Sequence, residues 1–242
     1  MRDMNCPEHG GMAGMVDMAG PPEWVTATGW VVTGIGVLVA LVILADIYLG
    51  RYRQPIPAME AVWPITAIYA GPLALWAYYR WGRRSTSRWQ QQHGEDPQLG
   101  PAATVALQTI PGGAASFIGH GIAVPIVMGT GMTIAGRAVW PMILLIAVFA
   151  LPLLIAFEYH ALRLADATVS AAARLRKAVR ISVPAILAFD AGMGAIMLLV
   201  AFVLHYDHAS MAFWLLMWVG MLLGFLTAYP IVWRMLATES DR

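Results

Sequence analysis

Long apolar segments separated by short polar stretches constrain this chain more than any other feature of its sequence. Each is long enough to cross about 30 Å of hydrocarbon as an α-helix. The six segments are Trp24–Tyr48, Met59–Tyr79, Ala102–Val127, Val139–Leu162, Ile181–Leu204 and Met211–Met235. Because 59% of the residues are hydrophobic and only 12% are charged, the chain has too little polar surface for a water-soluble fold. The sequence therefore predicts an all-α polytopic membrane protein with six transmembrane helices.

The two ends of the chain differ in composition from the segments between them. Residues 1–23 contain several glycines and show no hydrophobic periodicity, which predicts a flexible N-terminal tail. Residues 24–236 form the predicted six-helix transmembrane domain, and residues 237–242 a polar C-terminal tail.

Prolines lie inside most of the predicted spans. Proline removes a helical hydrogen bond, so these helices are expected to kink and to free backbone carbonyls. The third span contains Pro111 followed by two glycines, and further on Gly119-His120-Gly121. It is the span predicted to be broken.

Basic residues are distributed unevenly among the connections. With six crossings, 12 of the 15 Lys and Arg residues fall on the side of both termini, and only Arg51, Arg53 and Arg137 fall opposite. The positive-inside rule then predicts that both termini are cytoplasmic. The segment Asp166–Lys177 is expected to be an interfacial helix or a helix extension whose basic residues meet anionic headgroups.

Asp190 is the most unusual residue for its position, since it lies near the middle of the fifth span. A carboxylate in hydrocarbon is costly and is usually functional. His120 lies in the outer half of the third span, and His205, Asp207 and His208 form the corner between the last two spans. These residues could converge on one outward-facing cavity for a cation or a proton. Alternatively, each is satisfied separately, Asp190 by a hydroxyl or a tryptophan N–H and His120 by a carbonyl.

Methionines recur at a spacing of four residues inside the predicted spans. Side chains four apart share one helix face. The pairs are Met128/Met132, Met193/Met197 and Met217/Met221. Thioethers are soft ligands that suit Cu(I), although methionine also fills irregular gaps in apolar cores.

The N-terminal tail concentrates further soft ligands. Within 18 residues it holds a thiol, an imidazole and several thioethers, of which the candidate metal ligands are Cys6, His9, Met12, Met15 and Met18. The tail could capture Cu(I), or it could be a low-complexity terminus without a ligand. The candidate metal ligands inside the membrane are His120, Asp190, Met193, Met197, His205, His208, Met217 and Met221.

Gly220 and Gly224 stand four residues apart in the last span. This spacing lets two membrane helices approach closely. It predicts a contact with other membrane subunits or a homo-oligomer.

Two segments of the chain, Met59–Arg80 and Gly220–Trp233, resemble the most regular segments of a bacterial membrane family catalogued as domain of unknown function 4396. The resemblance spans roughly residues 24–236. Members carry a His-Cys-Gly-x-Gly-Cys-x-x-Gly-Asp run at the start of the third helix. The corresponding stretch here, Pro111–His120, has neither cysteine and has His120 in place of the aspartate. The resemblance implies a multi-pass protein of the bacterial inner (plasma) membrane and implies no thiolate metal site.

Three classes of function remain open. The first is transport or membrane chaperoning of a soft metal cation, with Cu(I) the best match to the ligands. The second is an accessory or structural subunit of a membrane complex. The third is a membrane redox protein with copper or haem, for which His120 and His205 would be the haem pair. An enzyme is not favoured, since phosphate-binding, Cys-x-x-Cys and His-Glu-x-x-His motifs are absent from the sequence. Nucleic acid is not indicated, because the basic residues flank membrane spans.

Overall fold

The protein is described by a computed structural model over residues 20–94 and 99–240, and this part is helical without a strand. The all-α class is therefore confirmed. The helices are α1 Glu23–Tyr48, α2 Met59–Ala70, α3 Pro72–Ala77, α4 Ser87–His93, α5 Pro101–Thr130, α6 Val139–Ala165, α7 Ala171–Leu199 and α8 Met211–Ser240. A π-helical turn continues α3 over Tyr78–Gly82, and another continues α7 over Val200–Leu204.

Five of these helices are long and apolar enough to cross a membrane. They are α1, α5, α6, α7 with its π-helical turn, and α8, and they contain between 26 and 34 residues. At 1.5 Å per residue even the shortest is about 39 Å long. The multi-pass membrane class is confirmed. At its end, α8 continues through residues 237–240, which the sequence placed in a polar tail.

The second predicted span is not a single crossing helix. It is broken at Gly71, whose φ of +52° is rarely adopted by residues with a Cβ, and Pro72 then starts α3. The 12 residues of α2 extend only about 18 Å, and the chain then turns back. As a result Arg83, after the π-helical turn, lies beside Asp46 at the end of α1. Helices α2 and α3 thus form a re-entrant hairpin that starts and ends at the same face.

The third predicted span is continuous, so the break expected there is wrong. Helix α5 runs from Pro101 to Thr130 with Pro111 inside it. Two of its glycines, Gly113 and Gly119, serve close packing. A Cβ placed on Gly119 would lie 2.7 Å from the carbonyl oxygen of Ile146 on α6.

The connections between the crossing helices define two faces of the bundle. Connections 48–59 and 165–171 meet at one face with residues 82–94 and 99–101, and we name this face the basic face. Tyr229, near the end of α8, donates a hydrogen bond to the Ala102 carbonyl at this face. Connections 130–139 and 204–211 meet at the other, the corner face, where a Cβ on Gly29 would lie 2.6 Å from the Met211 carbonyl oxygen. Because five long helices run through the bundle and α2 and α3 return to the face from which they start, Glu23 and Ser240 lie at opposite faces. The shared side predicted for both termini assumed six crossing helices, whereas the described residues contain five helices long and apolar enough to cross.

Helices α7 and α8 pack most closely through their glycines. A Cβ on Gly224 would lie 2.7 Å from the Phe189 ring, and one on Gly220 would lie 3.3 Å from Ile196. The Gly220/Gly224 pair is therefore buried inside the chain between α7 and α8. In this chain both glycines face α7, and the contact with other membrane subunits or a second copy stays a prediction.

Candidate functional site

Methionine side chains from three helices meet in one buried cluster. Met193 and Met197 come from α7, Met217 and Met221 come from α8, and each is at most 4% exposed. Helix α6 adds Met142, which is 1% exposed. The sequence missed Met142 because it has no partner four residues away. The spacing of the other four did indicate a shared face, and the packing of α7 on α8 brings both faces together.

His120 lies in the same region on α5 and is only 3% exposed. Neither ring nitrogen has a hydrogen-bond partner within the described residues. Buried polar groups in proteins are nearly always paired, because an unpaired one loses its hydration without compensation. The alternative in which a backbone carbonyl satisfies His120 is therefore not what the described part of the chain contains. The His120 imidazole can therefore coordinate a metal ion without first losing a hydrogen bond.

A cavity of about 300 Å³ opens at the corner face and leads toward this cluster. His205 and His208 line it at the corner, and Met142 and Met197 line it deeper in the bundle. The cavity thus extends from the corner histidines to two of the buried methionines, Met142 and Met197.

The corner itself is held in place by local hydrogen bonds. The backbone N–H of Ala209 donates to the Asp207 carboxylate at 3.0 Å. The His208 ring packs on Phe213 with 4.6 Å between ring centroids. Burial lowers the pKa of the His208 imidazole below its ordinary value, although the Asp207 carboxylate acts in the opposite direction. A neutral imidazole at neutral pH is the form that binds metal.

Asp190 lies one turn before Met193 on α7 and is partly buried. One carboxylate oxygen accepts a hydrogen bond of 3.3 Å from the Ser116 hydroxyl, and the other has no partner in the described part of the chain. Ser116 lies one turn before His120 on α5, which runs in the same direction as α7. The Asp190–Ser116 pair therefore lies about one helical turn closer to the basic face than His120 and Met193.

The other predicted ligands are less well placed. Within residues 20–94 and 99–240, no three His, Cys, Asp or Glu side chains come together as a metal site. Met128 and Met132 are 49% and 39% exposed and lie outside the buried cluster. His205 is exposed at the corner whereas His120 is buried, so the predicted haem pair is not at one depth. Five predicted ligands lie outside the described residues, namely Cys6, His9, Met12, Met15 and Met18.

The fold defines an α-helical multi-pass membrane protein, and the described part of its interior contains five buried methionines and one buried histidine. The family model described as domain of unknown function (DUF4396) matches residues 103–240, more than half of the chain. The chain belongs to this family. The matched region covers α5 to α8 and so contains the whole candidate site. Neither the curated proteins nor the solved structures gave a match.

Proposed function

We propose that this protein binds Cu(I) inside the membrane and passes it on, as a transporter or a membrane chaperone. The observation that carries the proposal is His120, a buried imidazole without a hydrogen-bond partner in the described chain, on a helix that packs against the three helices carrying the buried methionines. Thioether and imidazole are soft or borderline ligands that favour Cu(I) over the harder divalent cations.

The charge of the site agrees with a monovalent cation. Methionine and neutral histidine add no charge, so a bound Cu(I) would keep its full positive charge in an apolar interior. Asp190 lies one turn away and is the single Asp or Glu on α7 between Ala171 and Leu204. A carboxylate at this depth is costly by itself and less costly beside a cation.

We place the protein in the bacterial plasma membrane with the basic face in the cytoplasm. Among the described residues, one cation, Arg137, lies at the corner face. The basic face carries 12, namely Arg51, Arg53, Arg80, Arg83, Arg84, Arg88, Arg163, Arg174, Arg176, Lys177, Arg180 and Arg234. By the positive-inside rule the cavity then opens to the outside of the cell.

This orientation changes the role proposed for the N-terminal residues. Glu23 begins α1 at the corner face, so the preceding residues join the bundle on the side where the cavity opens. We therefore place Cys6, His9 and the tail methionines outside the cytoplasm, where they would collect the metal before it reaches His208.

The test is metal binding by the purified protein with the tail ligands removed. The background variant carries Cys6→Ser, His9→Gln, Met12→Leu, Met15→Leu and Met18→Leu. Titration with Ag(I), a redox-stable analogue of Cu(I), is expected to show one site that persists in this background. Adding His120→Leu, Met193→Leu and Met217→Leu is expected to abolish it.

The matched control is Met128→Leu with Met132→Leu, a pair of exposed methionines that should leave the affinity unchanged. Leucine nearly conserves the volume of methionine, so each Met→Leu replacement is expected to lower the free energy of unfolding by less than about 1.5 kcal/mol. Unchanged Ag(I) binding after loss of His120, Met193 and Met217 in a folded protein would refute the proposal.

A further inference from the structure

A second cavity, of about 170 Å³, opens at the basic face between α5, α6, α7 and α8. Much of its wall is apolar and includes Leu162, Ile181 and Val232. Lys177 and Arg180, from adjacent turns of α7, also line it, and both residues are exposed at the surface. The cavity thus combines an apolar wall with two cations at the membrane surface.

The turn that carries these cations is held rigidly. Ser170 caps α7 by accepting a hydrogen bond from the Ala173 backbone N–H. Arg174 is 6% exposed and its guanidinium donates to the carbonyl of Val169 at 2.7 Å and, at 3.4 Å, to that of Asp166. The Arg174 guanidinium also lies 5.3 Å from the centre of the Tyr159 ring on α6. Because the start of α7 is fixed to α6 in this way, the next turns present their cations at a defined place.

The loop before this turn is ordered by its own carboxylate. The hydroxyl and the backbone N–H of Thr168 both donate to Asp166, at 2.6 and 2.8 Å. Both bonds lower the pKa of the exposed Asp166 carboxyl below its ordinary value, and the bond from the hydroxyl has the larger effect. The connection between α6 and α7 therefore has a specific conformation beside the cavity.

We propose that this cavity binds one anionic phospholipid of the surrounding membrane. The phosphate lies against Lys177 and Arg180, and an acyl chain runs along the apolar wall. Basic pockets between membrane helices at this kind of surface recognise phosphate headgroups by charge-assisted hydrogen bonds. Among the described residues that line the cavity, Lys177 and Arg180 are cations and Glu158 is a carboxylate. The two cations favour a lipid with an anionic headgroup over a zwitterionic one.

The experiment compares thermal unfolding of the full chain in phosphatidylglycerol and in phosphatidylcholine with the same acyl chains. Phosphatidylglycerol is expected to raise the midpoint of unfolding by several degrees in the wild type. The variant Lys177→Gln with Arg180→Gln should lose at least half of that shift. The shift between the two lipids is the readout, so a lower midpoint in both lipids does not affect the conclusion.

The matched control is Arg163→Gln with Arg176→Gln, which removes two charges from the same face without altering the residues that line the cavity. It should keep the shift. A second variant, Ile181→Phe, fills part of the cavity beside its apolar wall and leaves both cations in place. It should also reduce the shift in unfolding midpoint between the two lipids.

Three outcomes would overturn the proposal. Equal loss in the control pair would show a diffuse attraction between the basic face and the membrane. An unchanged shift in Lys177→Gln with Arg180→Gln would remove these residues from lipid binding. An equal rise in midpoint when inorganic phosphate is added to the protein in phosphatidylcholine would assign the site to a free anion.

Discussion

The Nε atom of Arg83 lies 3.0 Å from the carboxylate of Asp46 and joins the end of the re-entrant hairpin to the end of α1. The Tyr78 hydroxyl donates a hydrogen bond of 2.8 Å to the same carboxylate oxygen. The Arg83 guanidinium also stacks on Tyr52, 3.8 Å from the centre of its ring. Because Asp46 lies near the end of α1, these contacts hold the end of the re-entrant hairpin at the face where α1 ends.

The first prediction concerns this topology. In a Cys6→Ser background the chain has no cysteine, since Cys6 is its single one. Arg51→Cys should then react only with reagents that reach the cytoplasm, and Ala209→Cys only with reagents applied outside. Labelling of Arg51→Cys from outside the cell would contradict the re-entrant hairpin and support six crossings.

The second prediction concerns the Asp46–Arg83 ion pair. Its side chains are 14% and 29% exposed, so Arg83→Gln should lower the free energy of unfolding by about 1–3 kcal/mol by leaving a partly buried carboxylate short of a cation. The control is Arg176→Gln, which removes an exposed cation of the basic face outside this ion pair and should change the free energy of unfolding by no more than about 0.5 kcal/mol. Denaturant unfolding measures both, and equal costs would contradict a special role for Arg83.

The third prediction concerns the contact between α7 and α8. Gly224→Ala would place a methyl group 2.7 Å from the Phe189 ring and 2.8 Å from the Phe189 carbonyl oxygen. The helices must separate to accept it, so we expect a loss of about 1–3 kcal/mol in unfolding free energy. Gly121→Ala on α5 meets no atom within 4 Å and should be neutral or stabilising by up to about 1 kcal/mol. A neutral Gly224→Ala would show that this packing is looser than described.

The fourth prediction concerns Asp190. Asp190→Asn keeps an oxygen that accepts from Ser116 but removes the charge near the proposed metal site. The protein should fold normally while its Ag(I) affinity falls about tenfold or more, which corresponds to about 1.4 kcal/mol. Ser116→Ala keeps the charge and should have a smaller effect. A competition titration measures both variants, and an unchanged affinity in Asp190→Asn would make this carboxylate a packing element.

The fifth prediction concerns pH and His208. Its pKa is lowered by burial from an ordinary value of about 6.5, so the imidazole stays neutral at pH 7 and protonates only at lower pH. Ag(I) affinity should therefore stay constant from about pH 7.5 to 6.5 and fall below that range, as protons begin to compete. His208→Gln should lower the affinity at pH 7 and weaken this pH dependence. An identical pH profile in the variant would exclude His208 as the titrating group.

Much of the helical structure follows from hydrophobicity and length. The five long helices begin and end close to the predicted bounds, and α7 starts at Ala171, inside the segment Asp166–Lys177 for which an interfacial helix or a helix extension was predicted. This extension forms because Ser170 and Arg174 stabilise a helical start outside the hydrocarbon. The spacing of Met193 with Met197 and of Met217 with Met221 also predicted which faces hold the sulfur atoms.

The rest depended on contacts between residues far apart in the chain. Hydropathy measures how apolar a segment is and says nothing about its direction, so the reversal at Gly71 was not distinguishable from a kink. Met142 joins the methionine cluster only because α6 packs beside α7. The absence of a partner for His120 in the described chain likewise depends on which side chains its neighbours present.

The amino-acid sequence by itself determined that this chain forms long apolar helices, because segments this long and this apolar satisfy their backbone inside hydrocarbon as α-helices. The tertiary structure alone decided that five long helices run through the bundle and that Glu23 and Ser240 lie at opposite faces. The physical reason is the reversal at Gly71 together with the contact between Asp46 and Arg83, residues far apart in the chain, whose attraction over 3.0 Å holds the end of the re-entrant hairpin at the face where α1 ends.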